Sequence, residues 1–290
     1  MTSATDTLSG KGHKDENFPV ASLLIAPENR GPILAFYRFV RAGDDVSDNA
    51  ALSPAEKIAL LDGLEASLLG HGEPDPFADP LREALAARDL SPRHAQDLLD
   101  AFRQDARQSR YATWDELLGY CALSAMPVGR FVLDLHGEDR STWTASDALC
   151  AALQVINHTQ DCGKDLAALD RVYMPETILA RHGASVADLA EPRSSPALLA
   201  ALREINEGSA DLLARSAPFA GQIADRRLAL EVSVIQTLAE ALVRKLRTGD
   251  PLAGKVHASK PEALVLATFG ILRGLAGRLR RPAGRPAASR

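Results

Sequence analysis

Two stretches of this chain, far apart in sequence, each set aspartates four residues apart inside an apolar helical pattern: Asp44 with Asp48, and Asp161 with Asp165. Four positions on a helix separate side chains by about 40° around the axis, so each pair faces one way and its like charges repel. On a solvated helix that repulsion costs only a few tenths of a kcal/mol, and for either pair alone an exposed acidic face is the default. The neighbours argue against it. Tyr37 and Arg41 share the stripe of Asp44 and Asp48, with Phe36, Phe39 and Val40 around them. Gln154, Asn157, Asp161 and Asp165 fall within about 80° of one helix, flanked by Leu153, Val155 and Ile156. Carboxylates gathered in apolar surroundings stay ionised only beside cations, and an oxygen-only ligand set suits a hard ion such as magnesium. The two faces are therefore expected to meet across one metal-bearing cavity.

Magnesium is usually held by one or two carboxylates together with substrate phosphate. A diphosphate would supply the missing ligands, and metal and cationic side chains could stabilise it as a leaving group. Arg41, on the first acidic stripe, is the obvious fork for a phosphate.

The rest of the pattern is helical. Ala and Leu, the commonest apolar residues, lose little entropy in a helix, and neither βαβ alternation nor a glycine-rich nucleotide loop appears. Pro32, Ser53-Pro54 and Ser91-Pro92 read as helix starts, and Thr113-Trp114-Asp115-Glu116 as a capping box before an apolar segment from Leu117 to Leu135. Gly70 to Pro80 reads as a loop, a helix is expected from Ser146 to about Asp165, and Arg171 to Pro175 reads as a short extended link. Weaker helical patterns cover Ile178 to Arg181, Pro196 to Arg215, Asp225 to Arg247 and Pro261 to Arg280. The expectation is an all-α chain with one domain over residues 17–277. A polar, disordered leader at 1–16 would precede it, and a disordered tail at 278–290 with five arginines would follow.

A net charge of −5 and the lack of a long basic stripe exclude nucleic acid as a partner. Cys121, Cys150 and Cys162 lack zinc-site spacing and read as reduced thiols of a cytoplasmic protein. Residues 1–16 lack the apolar stretch of a signal peptide, and no eighteen apolar residues run together without a charge. A soluble or peripheral, cytoplasmic protein is expected.

These residues resemble the squalene and phytoene synthase family. Tyr37 to Asp48, YRFVRAGDDVSD, is similar to its first aspartate-rich motif; Gln154 to Asp165, QVINHTQDCGKD, followed by RVYMP at Arg171 to Pro175, is similar to its second. LLGYCALSAMPVG at Leu117 to Gly129 resembles its central helix, and the likeness runs from Phe18 to Lys260. The resemblance implies a single-domain, isoprenoid synthase-type helical bundle around a central cavity. By position, Asp44, Asp48, Asn157, Asp161 and Asp165 would bind magnesium, and Arg41, Gln154, Lys255 and Lys260 would contact diphosphate. Phe18, Tyr37, Asp45 and Gly129 would belong to the substrate cavity, and Tyr120 would face a reacting cation with its ring or hydroxyl. His158 reads as structural. Three departures from the family pattern stand out: Gln160 and Lys164 replace an arginine and an acid in the second motif, on helix faces turned away from the acidic stripe, and Lys255 stands where arginine is usual.

Glu16 to Ser22 and Gln160 to Asp165 look most like the family's water-quenching branch of bacterial hopanoid pathways. That branch converts presqualene diphosphate and water to hydroxysqualene and diphosphate, and no nicotinamide cofactor is expected. One alternative is head-to-head condensation of two allylic diphosphates to squalene or phytoene. The other is a non-catalytic assembly factor of the same fold, which usually shows eroded aspartate motifs, whereas here all four aspartates are present. The resemblance also implies coupling to a presqualene diphosphate synthase. The basic tail suggests peripheral contact with the inner face of a membrane.

Overall fold

The computed structural model describes residues 25–279, and the structural statements below concern those residues. In order they form α1 (Pro27–Asp48), α2 (Pro54–Leu68), α3 (Ala78–Ala86), α4 (Arg93–Asp105), α5 (Trp114–Ser124), α6 (Met126–Leu135), α7 (Trp143–Leu169), α8 (Glu176–Arg181), α9 (Pro196–Ser216), α10 (Phe219–Gln222), α11 (Arg226–Leu246) and α12 (Lys260–Leu279). No β-strand occurs among the described residues, where an isolated bridge joins Arg110 to Val172 in the link after α7.

The local chemistry explains most of these boundaries. Ser53 caps α2 as expected: its side chain accepts from the Glu56 amide, and the Glu56 carboxylate accepts from the Ser53 amide at 2.8 Å. Pro32, by contrast, does not start a helix. α1 begins at Pro27, and Pro32 lies inside it. The Glu28 carbonyl that an amide at position 32 would have bonded accepts Arg88 Nη2 at 2.7 Å instead. α3 starts within the stretch read as a loop, because Asp75 Oδ1 accepts from the amides of Phe77 and Ala78 at 2.8 and 2.9 Å.

The apolar segment from Leu117 to Leu135 divides at Ala125, just before Pro127 in the first turn of α6. By length and composition Trp114–Leu135 could cross a membrane, but Leu117, Tyr120, Cys121 and Phe131 are buried in the core. α7 starts at Trp143, earlier than expected, and ends where Asp170 turns into the left-handed region at φ 51°. Arg278, expected to begin the tail, lies in the last turn of α12 and donates to the Ile223 carbonyl at 3.0 Å. The leader at 1–16, Phe18 and residues 280–290 lie outside the described residues.

Packing produces two apolar clusters. One gathers α1 to α4 with Phe131 and Leu135 of α6, and the other is centred on α5, α7, α9 and α11. Phe36 of α1 stacks on Phe131 at 3.9 Å between ring centroids, which ties α6 to α1. Close approach of α1 to α4 depends on Gly43, where a Cβ would stand 2.8 Å from the Phe102 ring and 3.3 Å from Leu99. That glycine immediately precedes Asp44 and Asp45. Gly43→Ala should force α1 off α4 and lower stability by about 1–3 kcal/mol, read as a drop in Tm with helical circular dichroism retained below the transition.

Candidate active site

α1 delivers its acids at its C-terminal end, where the last carbonyls of the helix are exposed to cations. Arg171 Nη2 and Lys57 Nζ both donate to the Ser47 carbonyl, at 2.8 and 2.7 Å. The other arm of Arg171 reaches Asp48 Oδ1 at 2.5 Å, and Ser47 Oγ completes its set at 2.9 Å. One turn back, Arg41 bridges Asp44 at 2.9 Å and Asp45 at 3.0 Å. Asp45 is buried against Arg41 and does not line the substrate cavity as expected, because that ion pair turns it inward.

α7 delivers the second acidic face. Gln154 and Asn157 join Arg41 and Asp44 on the wall of a cavity of about 490 Å³, while Asp161 and Asp165 continue the stripe one and two turns further along α7. The two faces sense each other. Burial, then Asp48, pushes the Asp44 carboxyl up to about 7, with Arg41 opposing. Burial, then Asp161, pushes Asp165 up to about 7, with Lys164 opposing and Asp48 adding to the rise. The donor set is all oxygen, and it crowds more negative charge than its own cations neutralise. Those residues fit a hard divalent cation. Among the described residues no three Asp, Glu, His or Cys side chains close on one point, so water and a substrate anion would have to complete the coordination.

Tyr37 and Gly129 line the cavity as expected. A Cβ on Gly129 would meet Ser146 Oγ at 2.4 Å and Cys150 Sγ at 2.7 Å, so this glycine also lets α6 close on α7. Tyr120 lines the cavity too, and its hydroxyl donates to Asp105 Oδ2 at 2.8 Å, which leaves the ring to face the interior. Lys255 and Lys260 do not reach the cavity. Gln160 Nε2 bonds the Val256 carbonyl at 2.5 Å and pins the α11–α12 connection to the flank of α7 beside Asp161. Lys255 there lines a separate pocket with Asp161 and Lys164, and Lys260 is exposed in the first turn of α12. Lys164 is less remote than its helix face suggested, since Nζ lies 3.7 Å from Asp161 Oδ2.

Three residues around this end of the bundle were not singled out from sequence: Arg171, Asp105 and Tyr173. Arg171 and Tyr173 stood within the RVYMP stretch. Asp105 had no sequence signal beyond ending a helix, yet it accepts from both Tyr120 and Tyr173, the latter at 3.1 Å, and burial raises its carboxyl to about 6. His158 is the packing histidine expected: it stacks on Tyr173 at 3.6 Å, and burial lowers it to about 3.

Comparison with known proteins fits this geometry. The family model described as squalene/phytoene synthase matches residues 11–262. A hydroxysqualene synthase from Rhodopseudomonas palustris is 55% identical over 272 residues, covering 94% of this chain and 93% of its own. A second hydroxysqualene synthase, from Sinorhizobium fredii, is 51% identical and covers 91% of each. Among solved structures, a squalene synthase from Alicyclobacillus acidocaldarius superposes with a TM-score of 0.70 at 30% identity, covering 79% of this chain and 86% of its own.

The raised carboxyls of Asp44 and Asp165 carry a stability cost with a definite sign. Between the ordinary value of 3.8 and about 7, the folded protein holds protons that the unfolded chain releases, so stability falls as pH rises through that window. Asp44→Asn and Asp165→Asn should therefore raise the Tm of the metal-free protein at pH 8. The gain should shrink toward pH 4.5, as scanning calorimetry across that range would show.

Proposed function

The chain belongs to the squalene and phytoene synthase family, and from that premise we propose that it converts presqualene diphosphate and water to hydroxysqualene and diphosphate. The observation that carries this reading is the identity of 51% and 55% to two proteins named hydroxysqualene synthase, each over more than nine-tenths of both chains. The site chemistry agrees. A diphosphate needs cations at one pole, and the hydrocarbon needs a dry, apolar cavity.

Asp44, Asp48, Asn157, Asp161 and Asp165 would hold magnesium, which when bound supplies positive charge to the leaving diphosphate. Arg41, already oriented by Asp44 and Asp45, offers its guanidinium to a phosphate oxygen, and Gln154 adds an amide donor on the facing wall. The apolar wall formed by Val40, Phe102, Leu149 and Leu153 encloses the hydrocarbon and excludes water from the cation until rearrangement is complete. Tyr120 presents its ring to that cation, held by the Asp105 bond. Water is the nucleophile and the reaction is redox-neutral, so it requires no nicotinamide cofactor. The substrate is itself a prenyl coupling product, so a presqualene diphosphate synthase must supply it.

Asp48→Asn and Asp165→Asn should each lower turnover of presqualene diphosphate by at least about a hundredfold with helical content intact. Near-wild-type turnover of both at saturating magnesium would remove the metal assignment.

Substrate and product are lipids, and the surface of the protein supports peripheral contact with a cytoplasmic anionic membrane. Leu264, Val265, Phe269, Leu272 and Leu275 project from one side of α12 with 46–70% of their surface exposed. Arg226 and Arg227 are exposed beside the C-terminal end of the same helix, and Arg280 and Arg281 follow it in sequence. Each cation near an anionic surface contributes about 1 kcal/mol. Replacing both Phe269 and Leu272 by Glu should lower sedimentation with anionic vesicles severalfold, while equal binding by the variant would exclude α12 as the contact.

A further inference from the structure

Two serines line the mainly apolar cavity, Ser124 on α5 and Ser146 on α7. They differ in what surrounds their hydroxyls. Ser146 Oγ stands beside the Cys150 thiol, packed where Gly129 of α6 has no side chain. It also precedes Gln154 by about 12 Å along the axis of α7. Ser124 Oγ is buried and bonds no group of the protein. Elsewhere in these helices a buried hydroxyl turns back to a carbonyl one turn earlier. Thr159 donates to Val155 and Thr237 to Ser233, each at 2.8 Å, and Ser209 donates to Ile205 at 3.4 Å. A buried hydroxyl without such a bond is costly unless another molecule supplies one.

The surroundings of Ser124 suit a water. Ser124 follows Tyr120 by one helical turn, so the two share a face of α5 about 6 Å apart along its axis, and both line the cavity. Tyr120 commits its hydroxyl to Asp105 and presents its ring. Directly after Ser124, α5 ends at Ala125, and Pro127 stands in the first turn of α6. Proline has no amide, so the Leu123 carbonyl at this break lacks the donor that a continuous helix would give it. The same stretch of wall reaches the surface, because Val128 lines the cavity and is 40% exposed. A hydroxyl, a backbone acceptor and contact with solvent thus occur together beside the aromatic ring.

The reaction needs a water at such a place. When diphosphate leaves with its bonding electron pair, an electron-deficient carbon skeleton remains among apolar walls. Water must then add at one carbon, and only after rearrangement. A water already held and oriented adds more readily than one that diffuses in, and its fixed position selects the carbon attacked.

We infer that Ser124 positions the water that quenches the cation. Its Oγ accepts a hydrogen bond from that water, which leaves a water lone pair to form the C–O bond. The resulting oxonium loses a proton to solvent or to the released diphosphate, and the O–H electrons stay on the hydroxysqualene oxygen. Ser124 itself neither gains nor loses a proton. This assignment rests on the proposed reaction, and it names the group that directs its outcome.

The test is a product balance in ¹⁸O-labelled water with presqualene diphosphate, comparing labelled hydroxysqualene formed with diphosphate released. For the wild-type protein the ratio should be near one. For Ser124→Ala it should fall at least about fivefold, with alkenes or unrearranged alcohols making up the difference, while diphosphate release continues. Ser124→Thr, which keeps the hydroxyl, should recover part of the ratio. A Ser124→Ala ratio equal to wild type would overturn the assignment, as would equally low ratios for the Ala and Thr variants. Loss of diphosphate release in Ser124→Ala would overturn it too, since a group that holds the quenching water acts after ionisation. If the wild-type protein releases diphosphate but forms no labelled hydroxysqualene, the proposed reaction itself is wrong, a result separable from a failure confined to Ser124.

Discussion

The guanidinium of Arg171 stands where the extended link after α7 meets the end of α1, and the convergence of so many carboxylates at one end of the bundle depends on it. It donates to Asp48, to the Ser47 carbonyl and to Ser47 Oγ, and it lies 4.0 Å from Asp105 Oδ2. Burial works against its charge, and Asp105, Tyr173 and Asp48 more than restore it. Removing one partner of such a buried pair strands the other, at a typical cost of about 3–5 kcal/mol. The link is thus an electrostatic clasp: it joins the α1 acids to the α7 half of the protein and leaves the facing surfaces of Asp44 and Asp165 under-neutralised.

The division of labour in the bundle follows from that clasp. Beside Arg171 lies an aromatic layer in which Tyr111, Tyr120, Tyr173 and His158 stack or tilt against one another at 3.6 to 6.0 Å. Two tyrosine hydroxyls point to Asp105, and His158 is held neutral as a flat packing surface. Tyr120 carries this layer to the cavity, where Arg41 and Asp44 of α1 and Gln154 and Asn157 of α7 form a polar region and the remaining wall is mainly hydrocarbon.

Sequence pattern carried much of this, for identifiable reasons. Asp44, Asp48, Asp161 and Asp165 were legible because helical spacing and apolar neighbours made a solvated face implausible. Arg41, Gln154 and Asn157 followed from the same wheels. That Lys255 and Lys260 stand outside the main cavity was not legible, because nothing in their local pattern showed that Gln160 would anchor the α11–α12 connection to the flank of α7. Asp105 was illegible for a related reason. An isolated acid on an amphipathic helix looks solvated until the partner helix is known, and only tertiary packing puts this one under two tyrosine hydroxyls. Pro32 misled because its helix disruption is offset by Arg88, far away in sequence.

The central claim is that the two acidic helix faces act as one site, completed by a divalent cation together with a diphosphate. Calorimetric titration of magnesium into the protein, with and without inorganic diphosphate, tests it most directly. The account predicts weak binding of magnesium alone, much tighter binding when diphosphate is present, and loss of that enhancement when either Asp48 or Asp165 is changed to Asn. Magnesium affinity that is the same with and without diphosphate, or an enhancement that survives either substitution, would contradict it.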